Sequence, residues 1–174
     1  PFRDFRFRVV SDAGERDYSL SGIPVFDVAG GFQGYRGAGT DISHHVATAT
    51  ELEKGRNLLY SVLDSIPAPI SVKDVSGRYM LVNKGLREAF QAETSDIVGR
   101  HISELPLTGI APEARAEFVA FSSAQEAETL ATGMPVLNRE RSYRRADGSL
   151  RTVLESKVPL REPDGRVTAI LSPA

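Results

Sequence analysis

Two hydroxyl side chains near the C-terminal end are the main candidates in the sequence for contacting a polar ligand. Thr152 and Ser156 lie in a stretch, 150–160, whose alternating side chains predict a β-strand. Because residues two positions apart share a face of a strand, both hydroxyls are expected beside Leu150 and Leu154, facing a core. A buried hydroxyl needs a hydrogen-bond partner. Backbone or water supplies it in an ordinary core and a small molecule supplies it in a cavity, and the sequence leaves both alternatives open.

A group of arginines is the candidate for binding phosphate. Four of them lie within seven positions of one another: Arg139, Arg141, Arg144 and Arg145. Strand arginines next to acidic residues, here Glu140 and Asp147, are typical of a solvated face. We interpret the group as such a face.

The histidines do not predict a metal site. His44 and His45 are adjacent, so a helix directs them about 100° apart and they cannot share a metal ion without distant ligands. His101 is interpreted as a surface side chain. We therefore predict no metal ligands.

Other kinds of catalytic chemistry also lack their residues. The chain has no cysteine, which excludes disulfides, thiolate metal sites and cysteine nucleophiles. Neither a G-x-S-x-G nucleophile motif nor an H-E-x-x-H zinc motif is present. We predict a chain that is not an enzyme.

Composition and charge limit the classes of binding partner that the sequence predicts. With 41% hydrophobic and 25% charged residues the sequence is that of a globular protein, and its net charge of −2 gives no reason to expect nucleic acid as a partner. No apolar run approaches the roughly 18 residues of a membrane span. We expect a cytoplasmic location and no membrane contact by this segment.

The first 40 residues predict three antiparallel strands. Phe5, Phe7 and Val9 alternate with arginines, which is a pattern of period two. A turn is predicted at 11–14, and the glycines at 30–31 suit a second reversal. A three-stranded sheet without a covering helix buries too little apolar surface to stand alone.

A long helix follows. Leu52, Leu59 and Ile66 recur every seven residues, with Leu63 beside them, which predicts a coiled-coil seam and a homodimer through this helix. Gly55 weakens the seam. Pro67 ends the helix because proline lacks the amide that the next turn requires.

Residues 67–174 predict two strands, several short helices, one longer helix and three more strands. The last three strands repeat the landmarks of the first three: ten positions separate Gly14 from Pro24, and eleven separate Gly148 from Pro159. The sequence therefore contains an internal repeat.

This order of elements resembles the PAS fold, and short motifs carry the resemblance at matching places. They are Lys73-Asp74-Val75-Ser76-Gly77-Arg78, Leu81-Val82-Asn83, Ile97-Val98-Gly99-Arg100, Arg145-Ala146-Asp147-Gly148-Ser149 and Pro163-Asp164-Gly165-Arg166-Val167. In the N-terminal part, Gly39-Thr40-Asp41-Ile42-Ser43 is similar to the junction that leads from a PAS sheet into a signalling helix.

The resemblance implies an α+β fold and an architecture of three parts. Residues 1–43 are expected to be the three C-terminal strands of an upstream PAS domain, 44–66 a connecting signalling helix, and 67–174 a second PAS domain. That domain is expected to have a five-stranded antiparallel sheet with a helical cap.

The resemblance also implies a function. The chain is expected to be a non-catalytic sensory and dimerisation module of a bacterial signalling protein, passing ligand or partner state to an effector. The implied effector is a histidine kinase of a two-component system or a diguanylate cyclase, that is, a cyclic-dinucleotide enzyme. The alternative is a ligand-free spacer that only sets dimer geometry. Light-driven flavin chemistry of the family requires a cysteine, which the chain lacks.

By the same resemblance, a set of side chains is expected around the pocket of the second domain, next to Thr152 and Ser156. They are Tyr79, Asn83, Phe90, Phe118, Phe121 and Tyr143. The identity of a cofactor or ligand does not follow from the sequence.

Overall fold

The structure is a computed structural model that describes residues 1–12 and 14–174. The predicted turn at 11–14 includes Ala13, which lies outside the described residues. The chain divides into two compact units, residues 1–58 and 59–174.

The N-terminal unit contains an antiparallel sheet of three strands in the order β1-β2-β3. The strands are β1 (Phe2–Ser11), β2 (Gly14–Phe26) and β3 (Phe32–Asp41). The reversal between β2 and β3 is built on Asp27, whose carboxylate accepts hydrogen bonds from the amides of Ala29 and Gly31. Gly30 adopts a φ of 83° there, a value that glycine reaches without strain. The predicted three-stranded sheet is confirmed.

One face of this sheet carries a continuous row of aromatic rings. Neighbouring rings have their centroids 5.2 to 6.4 Å apart, and the row runs through Tyr18, Phe7, Phe5, Phe2, Tyr35, Phe32 and Phe26. Phe5, Phe32 and Tyr35 are each more than half exposed. An aromatic surface of this extent is typical of a face that another element covers.

Helix α1 (Ser43–Ser65) starts directly after β3. Asp41 accepts a hydrogen bond from the Ser43 amide at 2.9 Å, and the Ser43 hydroxyl accepts one from the Asp17 amide at 2.9 Å, so the first turn is tied to β2. The helix ends two residues before Pro67, as predicted. None of its residues is buried in the described chain, and none of the described helices combines the length and apolar character of a membrane span.

The C-terminal unit is built on a five-stranded antiparallel sheet in the order β5-β4-β8-β7-β6. Its strands are β4 (Ile70–Asp74), β5 (Tyr79–Val82), β6 (Val136–Arg144), β7 (Leu150–Arg161) and β8 (Val167–Pro173). The α+β class and the five-stranded sheet are confirmed.

The helices of this unit follow β5 and cover one face of the sheet. They are α2 (Lys84–Phe90), α3 (Thr94–Ile97) and α4 (Arg115–Thr132), with 3₁₀ turns at Ile102–Glu104 and Pro112–Ala114. Position 85 in α2 is occupied by glycine because a Cβ there would come within 2.6 Å of the Pro67 carbonyl oxygen. The apolar core lies between these helices and the sheet, and it consists of Tyr79, Val82, Leu86, Phe90, Ile97, Ile102, Leu105, Leu107, Ile110 and Phe118.

The aromatic row predicts how this chain behaves on its own. Replacing Phe5 and Phe32 together with threonine keeps the β-propensity of the strands and removes two exposed rings, so binding of the dye ANS should fall by about half or more. Val10→Thr is the matched control, since Val10 is exposed on β1 but outside the row. Unchanged ANS fluorescence in the double variant would show that the row is already covered in solution.

Candidate functional site

A small cavity lies inside the C-terminal unit, between α2, α4 and the helix-covered face of the sheet. Leu86, Ala89 and Phe90 line it from α2, and Phe118 and Ser122 line it from α4. Its volume is about 40 Å³. At about 10–15 Å³ for each water, that volume holds roughly three water molecules or a ligand of a few heavy atoms.

The sheet side of this cavity is charged. Five ionisable side chains from four elements meet there, and we call them the charge cluster: Lys73 on β4, Glu126 on α4, Arg141 on β6, and Glu155 and Lys157 on β7. Lys73 and Lys157 are each 1% exposed. Charged groups this deep must be paired and hydrogen-bonded, because removal from water costs several kcal/mol for each ion.

Lys157 is the centre of the charge cluster. Its ammonium donates to Glu155 Oε1 at 2.6 Å, and it lies 3.3 Å from Glu126 Oε1. The hydroxyls of Ser122 and Ser172 each accept from it at 3.1 Å. Lys157 therefore links α4 to both β7 and β8.

Lys73 has a smaller set of contacts. Its ammonium donates to Glu126 Oε1 at 2.6 Å and lies 4.4 Å from the centre of the Tyr79 ring. The same Glu126 oxygen also accepts from the Ser122 hydroxyl at 3.1 Å. One carboxylate oxygen is thus shared by two ammonium groups and a hydroxyl.

Arg141 completes the charge cluster from β6. Its Nη2 lies 2.7 Å from Glu155 Oε2, and its Nη1 donates to the Phe118 carbonyl at 3.0 Å. The guanidinium stacks 3.7 Å from the Phe118 ring centre. Its Nε is buried and has no hydrogen-bond partner within the described residues.

The cluster shifts the pKa values of its members in ways that their surroundings explain. Burial lowers the pKa of Lys73, and the negative charge of Glu126 opposes that shift. Burial acts to raise the pKa of Glu126, but Lys73 and Lys157 outweigh it and hold the pKa below its ordinary value. Burial, reinforced by Glu126 and Glu155, raises the pKa of Tyr79 far above its ordinary value, so its hydroxyl stays protonated.

Chemically, the cavity offers one apolar wall and one wall of hydrogen-bonding and charged groups. This combination is typical of sites for small polar molecules. Within residues 1–12 and 14–174, no group of three or more His, Asp or Glu side chains is placed to hold a metal ion.

Eight residues were predicted around the pocket, and four of them line this cavity. These four come from β5, α2, α4 and β6. They are Tyr79, Phe90, Phe118 and Tyr143. Phe90 meets Phe118 edge to face at 5.9 Å, and Phe118 meets Tyr143 at 5.0 Å. Binding of a ligand by these residues stays a prediction.

Asn83 is fully buried and joins several segments. Its Oδ1 accepts from the amides of Ile70 at 2.8 Å and Leu86 at 3.0 Å, which caps α2. Its Nδ2 lies 3.0 Å from the carbonyl oxygen of Leu63, 3.0 Å from that of Ile66 and 2.9 Å from that of Ala68. One side chain thus holds the end of α1, the linker, β4 and α2 together.

Two further predicted residues do not line the cavity, and Ser156 lies on the face of β7 opposite to the one that does. Phe121 lines an open groove between α4 and β6, with Arg141 5.1 Å from its ring centre. Ser156 is buried, and its hydroxyl accepts from the Asn138 amide at 3.0 Å. Asn138 has a φ of 52° at a bulge in β6, so Ser156 satisfies the backbone of that bulge.

The predicted orientation of β7 was wrong. Thr152 faces solvent, where its hydroxyl is 2.7 Å from that of Ser142, and Leu154 beside it is 57% exposed. The face that looks into the domain carries Val153, Glu155 and Lys157 instead. The period-two alternation of β7 was predicted correctly. The prediction placed the charged side chains on the solvent-facing side of the strand, whereas Glu155 and Lys157 are buried and pair with each other. Thr152 has no contact with the cavity.

The interpretation of the arginines as a solvated face was wrong for Arg141, because Glu155 and Phe118 hold it inside the domain. Arg139 and Arg144 are exposed. Lys73, Glu126 and Lys157 were not predicted as site residues. The available signal was the pair Glu155 and Lys157, whose opposite charges lie two residues apart on one face of β7 and can compensate each other when that face is buried.

Comparison with known proteins agrees with this geometry. A model of the PAS fold matches residues 63–172. The PAS domain of BvgS from Bordetella pertussis superposes with a TM-score of 0.54 at 22% identity, covering 69% of this chain and 84% of that one. VqmA from Vibrio cholerae, solved with ligand and DNA, superposes with a TM-score of 0.55 at 21% identity, covering 65% of this chain and 47% of that one. The chain therefore corresponds to about half of VqmA. No curated protein sequence matches it.

The charge cluster predicts unequal effects of two neighbouring glutamates on α4. Glu126→Gln keeps the shape but leaves two buried ammonium groups poorly compensated, so the free energy of unfolding at pH 7 should fall by about 3–5 kcal/mol in urea denaturation. Glu128→Gln is the control, because Glu128 is exposed and pairs with Arg139 at the surface, where the loss is at most about 1 kcal/mol.

The pH dependence of this difference follows from the lowered pKa of Glu126. The unfolded carboxyl titrates near 4.5, and the folded one titrates lower. Its stabilising contribution is therefore complete above pH 4.5 and is lost as the pH falls through the folded pKa. The gap between wild type and Glu126→Gln should narrow in acid. A constant gap, or equal effects at positions 126 and 128, would contradict the buried pairing.

Proposed function

The chain belongs to the PAS fold family, whose members are sensory and signalling modules, and from this premise we propose that its C-terminal unit is a sensor whose cavity state is passed to α1. The observation that carries the proposal is the hydrogen bonding of Asn83. Its amide contacts the end of α1 at Leu63, and its carbonyl caps α2 at Leu86, a residue that lines the cavity. A change in the cavity thus has a short path to the helix.

A second contact supports the same path. Asp64, in the last turn of α1, accepts from the Lys84 amide at 2.6 Å and lies 3.3 Å from Arg87 Nη2. Both partners belong to α2, which also presents Ala89 to the cavity. Movement of α2 about the cavity would therefore move the end of α1. Coupling requires only that a ligand binds two arrangements of α2 with different affinities.

A ligand-free spacer is the second candidate function. The observation that favours it is the charge cluster, which fills much of the interior and leaves a cavity of about 40 Å³. In a spacer, the charge cluster would only stabilise the domain and maintain its geometry, and it would have no role in ligand binding. Native mass spectrometry of freshly purified protein separates the two, since a retained small molecule favours the sensor.

We also propose the division of the chain into the strands of an upstream PAS domain (1–43), a connecting helix (44–66) and a second PAS domain (67–174). The pairing of the two three-stranded meanders supports it: Pro24 pairs with Tyr35 and Pro159 with Ile170, eleven residues on in both cases. The aromatic row on the N-terminal sheet would then face the helices of the upstream domain.

The proposed setting is a cytoplasmic signalling protein that forms a homodimer through α1. The effector in this proposal is a histidine kinase or diguanylate cyclase of the same chain. Leu52 and Leu59, seven residues apart, are each at least half exposed along α1, as a dimer seam requires of the separate chain.

The proposed path predicts that Asn83→Asp uncouples the helix from the cavity. A carboxylate still accepts from Ile70 and Leu86, but it cannot donate to the carbonyl of Leu63. Hydrogen exchange of residues 59–66, measured by mass spectrometry, should accelerate by about tenfold or more, because a buried carbonyl loses its donor. Thr50→Asp adds the same charge at an exposed position of α1 and should have little effect on that exchange.

Coupling itself is tested by combining this change with a cavity variant. Ala89→Leu fills the cavity and should alter the exchange of residues 59–66 in an otherwise wild-type chain. In the Asn83→Asp background the same substitution should have a smaller effect on these residues, because one of the two connections is lost and only the contacts of Asp64 remain. Additive effects of the two substitutions would contradict the proposed path.

The dimer seam predicts a change in oligomeric state. Leu52→Glu with Leu59→Glu should convert a dimer to a monomer in light scattering, because charges are not compensated in a buried seam. Lys54→Glu, which also adds negative charge on α1 but outside the seven-residue spacing, should leave the mass unchanged. A dimer that survives the double substitution would place the interface elsewhere.

A further inference from the structure

The charge cluster has an unequal number of positive and negative groups. Three of its side chains are cationic, namely Lys73, Arg141 and Lys157, and two are carboxylates, Glu126 and Glu155. Tyr79 beside them stays neutral because its pKa is raised. The side chains of the cluster therefore carry a formal net charge of +1 at buried positions.

The surplus charge is located at the cavity, because all three cations line it, whereas only one of the two carboxylates, Glu155, does. Lys157 already has four polar neighbours within 3.3 Å. Lys73 has three N–H donors, and the contacts given above use one of them, toward Glu126. Arg141 Nε is a second buried donor without a partner among the described residues.

These groups together have the chemistry of an anion site. Lys73, Arg141 and Lys157 line one small space, and Ser71, Ser122 and Ser172 line it with them. A buried charge without a counter-charge is costly, so an anion in this cavity would be stabilised by the cluster and would stabilise it in turn. Burial lowers the pKa values of both Lys73 and Arg141, as expected of cations that are removed from water.

The size of the cavity limits the anion. About 40 Å³ accommodates roughly three water-sized groups, which is the size of formate or acetate, and it excludes a phosphate ester or a nucleotide. The opposite wall, formed by Leu86, Phe90 and Ile102, is apolar and suits a short hydrocarbon end. The two ends of the cavity thus match the two ends of a short monocarboxylate.

We propose that the cavity binds a small monocarboxylate, of the size of formate or acetate, through the surplus charge of Lys73, Arg141 and Lys157. This inference rests on the proposed sensory function and names the class of signal that such a sensor would detect. The carboxylate would accept hydrogen bonds from the Lys73 ammonium and would lie beside the Arg141 guanidinium, which also lines the cavity. Its alkyl end would lie against the side of the cavity that α2 forms.

The experiment is a titration of the whole chain with sodium formate and sodium acetate, followed by calorimetry and by line broadening of ¹³C-labelled acetate in NMR spectra. Both anions should bind. Acetamide, the neutral analogue of the same shape, and butyrate, which exceeds the cavity, should not. Sodium chloride at equal ionic strength is the salt control. Binding of acetamide or of chloride as tight as that of acetate would overturn the proposal, as would no binding of either carboxylate.

Two variants test the site. Lys73→Met brings the cluster to a net charge of zero and should weaken acetate binding by about tenfold or more, whereas Lys84→Met, the same substitution at an exposed lysine, should not change it. Ala89→Leu fills the cavity without touching the charge cluster and should abolish binding in a folded protein. This second variant keeps the test decisive if Lys73→Met does not fold. Retained affinity in Ala89→Leu would overturn the assignment.

Failure of this inference and failure of the proposed function give different results. If no carboxylate binds but the effect of Ala89→Leu on α1 still depends on Asn83, the sensor remains and the proposed ligand class is wrong. If acetate binds but the exchange of residues 59–66 does not respond to it, the site is correct and the coupling is wrong.

Discussion

Compensation of buried charge is the constraint on which the C-terminal unit depends. Lys73 and Lys157 are as deeply buried as the core residues Val82 and Ile102. An ammonium ion at such depth is tolerated only where carboxylates and hydroxyls surround it. This requirement explains why the side of α4 that faces the sheet is polar, with Ser122 and Glu126 where a core helix ordinarily carries apolar residues. It also ties four strands to one helix through a single set of contacts.

The same constraint explains why some features could be predicted from the sequence and others could not. Local signals of turns and periodicity were sufficient for the order of elements, because a turn depends on its own residues. Asp74 and Gly77 form the predicted β4–β5 turn, with the Gly77 amide bonded to Asp74. The face of β7 was not predictable in this way. Its assignment required knowing that Glu155 and Lys157 have buried partners on α4 and β6, which are distant in the sequence.

The placement of the pocket residues shows the same division. The aromatic residues were expected from the resemblance to the PAS family, and Phe90 and Phe118 do line the cavity. Asn83 was expected in the pocket by the same resemblance, and it caps α2 instead. Its contacts with the end of α1 were not foreseen, since they depend on the path of the chain through Pro67 and Ala68. The arrangement of side chains near a helix end is a tertiary property that spacing alone does not encode.

The charge cluster and Asn83 together suggest why one domain can be both rigid and responsive. Ion pairs bury charge at a cost that only precise geometry offsets, so Lys157 and Glu155 restrict the sheet and α4 to one arrangement. Helix α2 takes no part in these ion pairs. It contacts the cavity through Leu86 and Ala89, and its first turn is held by Asn83 and Asp64. A ligand that alters the cavity therefore meets a fixed wall on one side and a hydrogen-bonded, movable wall on the other. In the proposed sensor, displacement by a ligand would be directed toward α2, and through it toward the end of α1, because α2 is held by fewer contacts with charged groups.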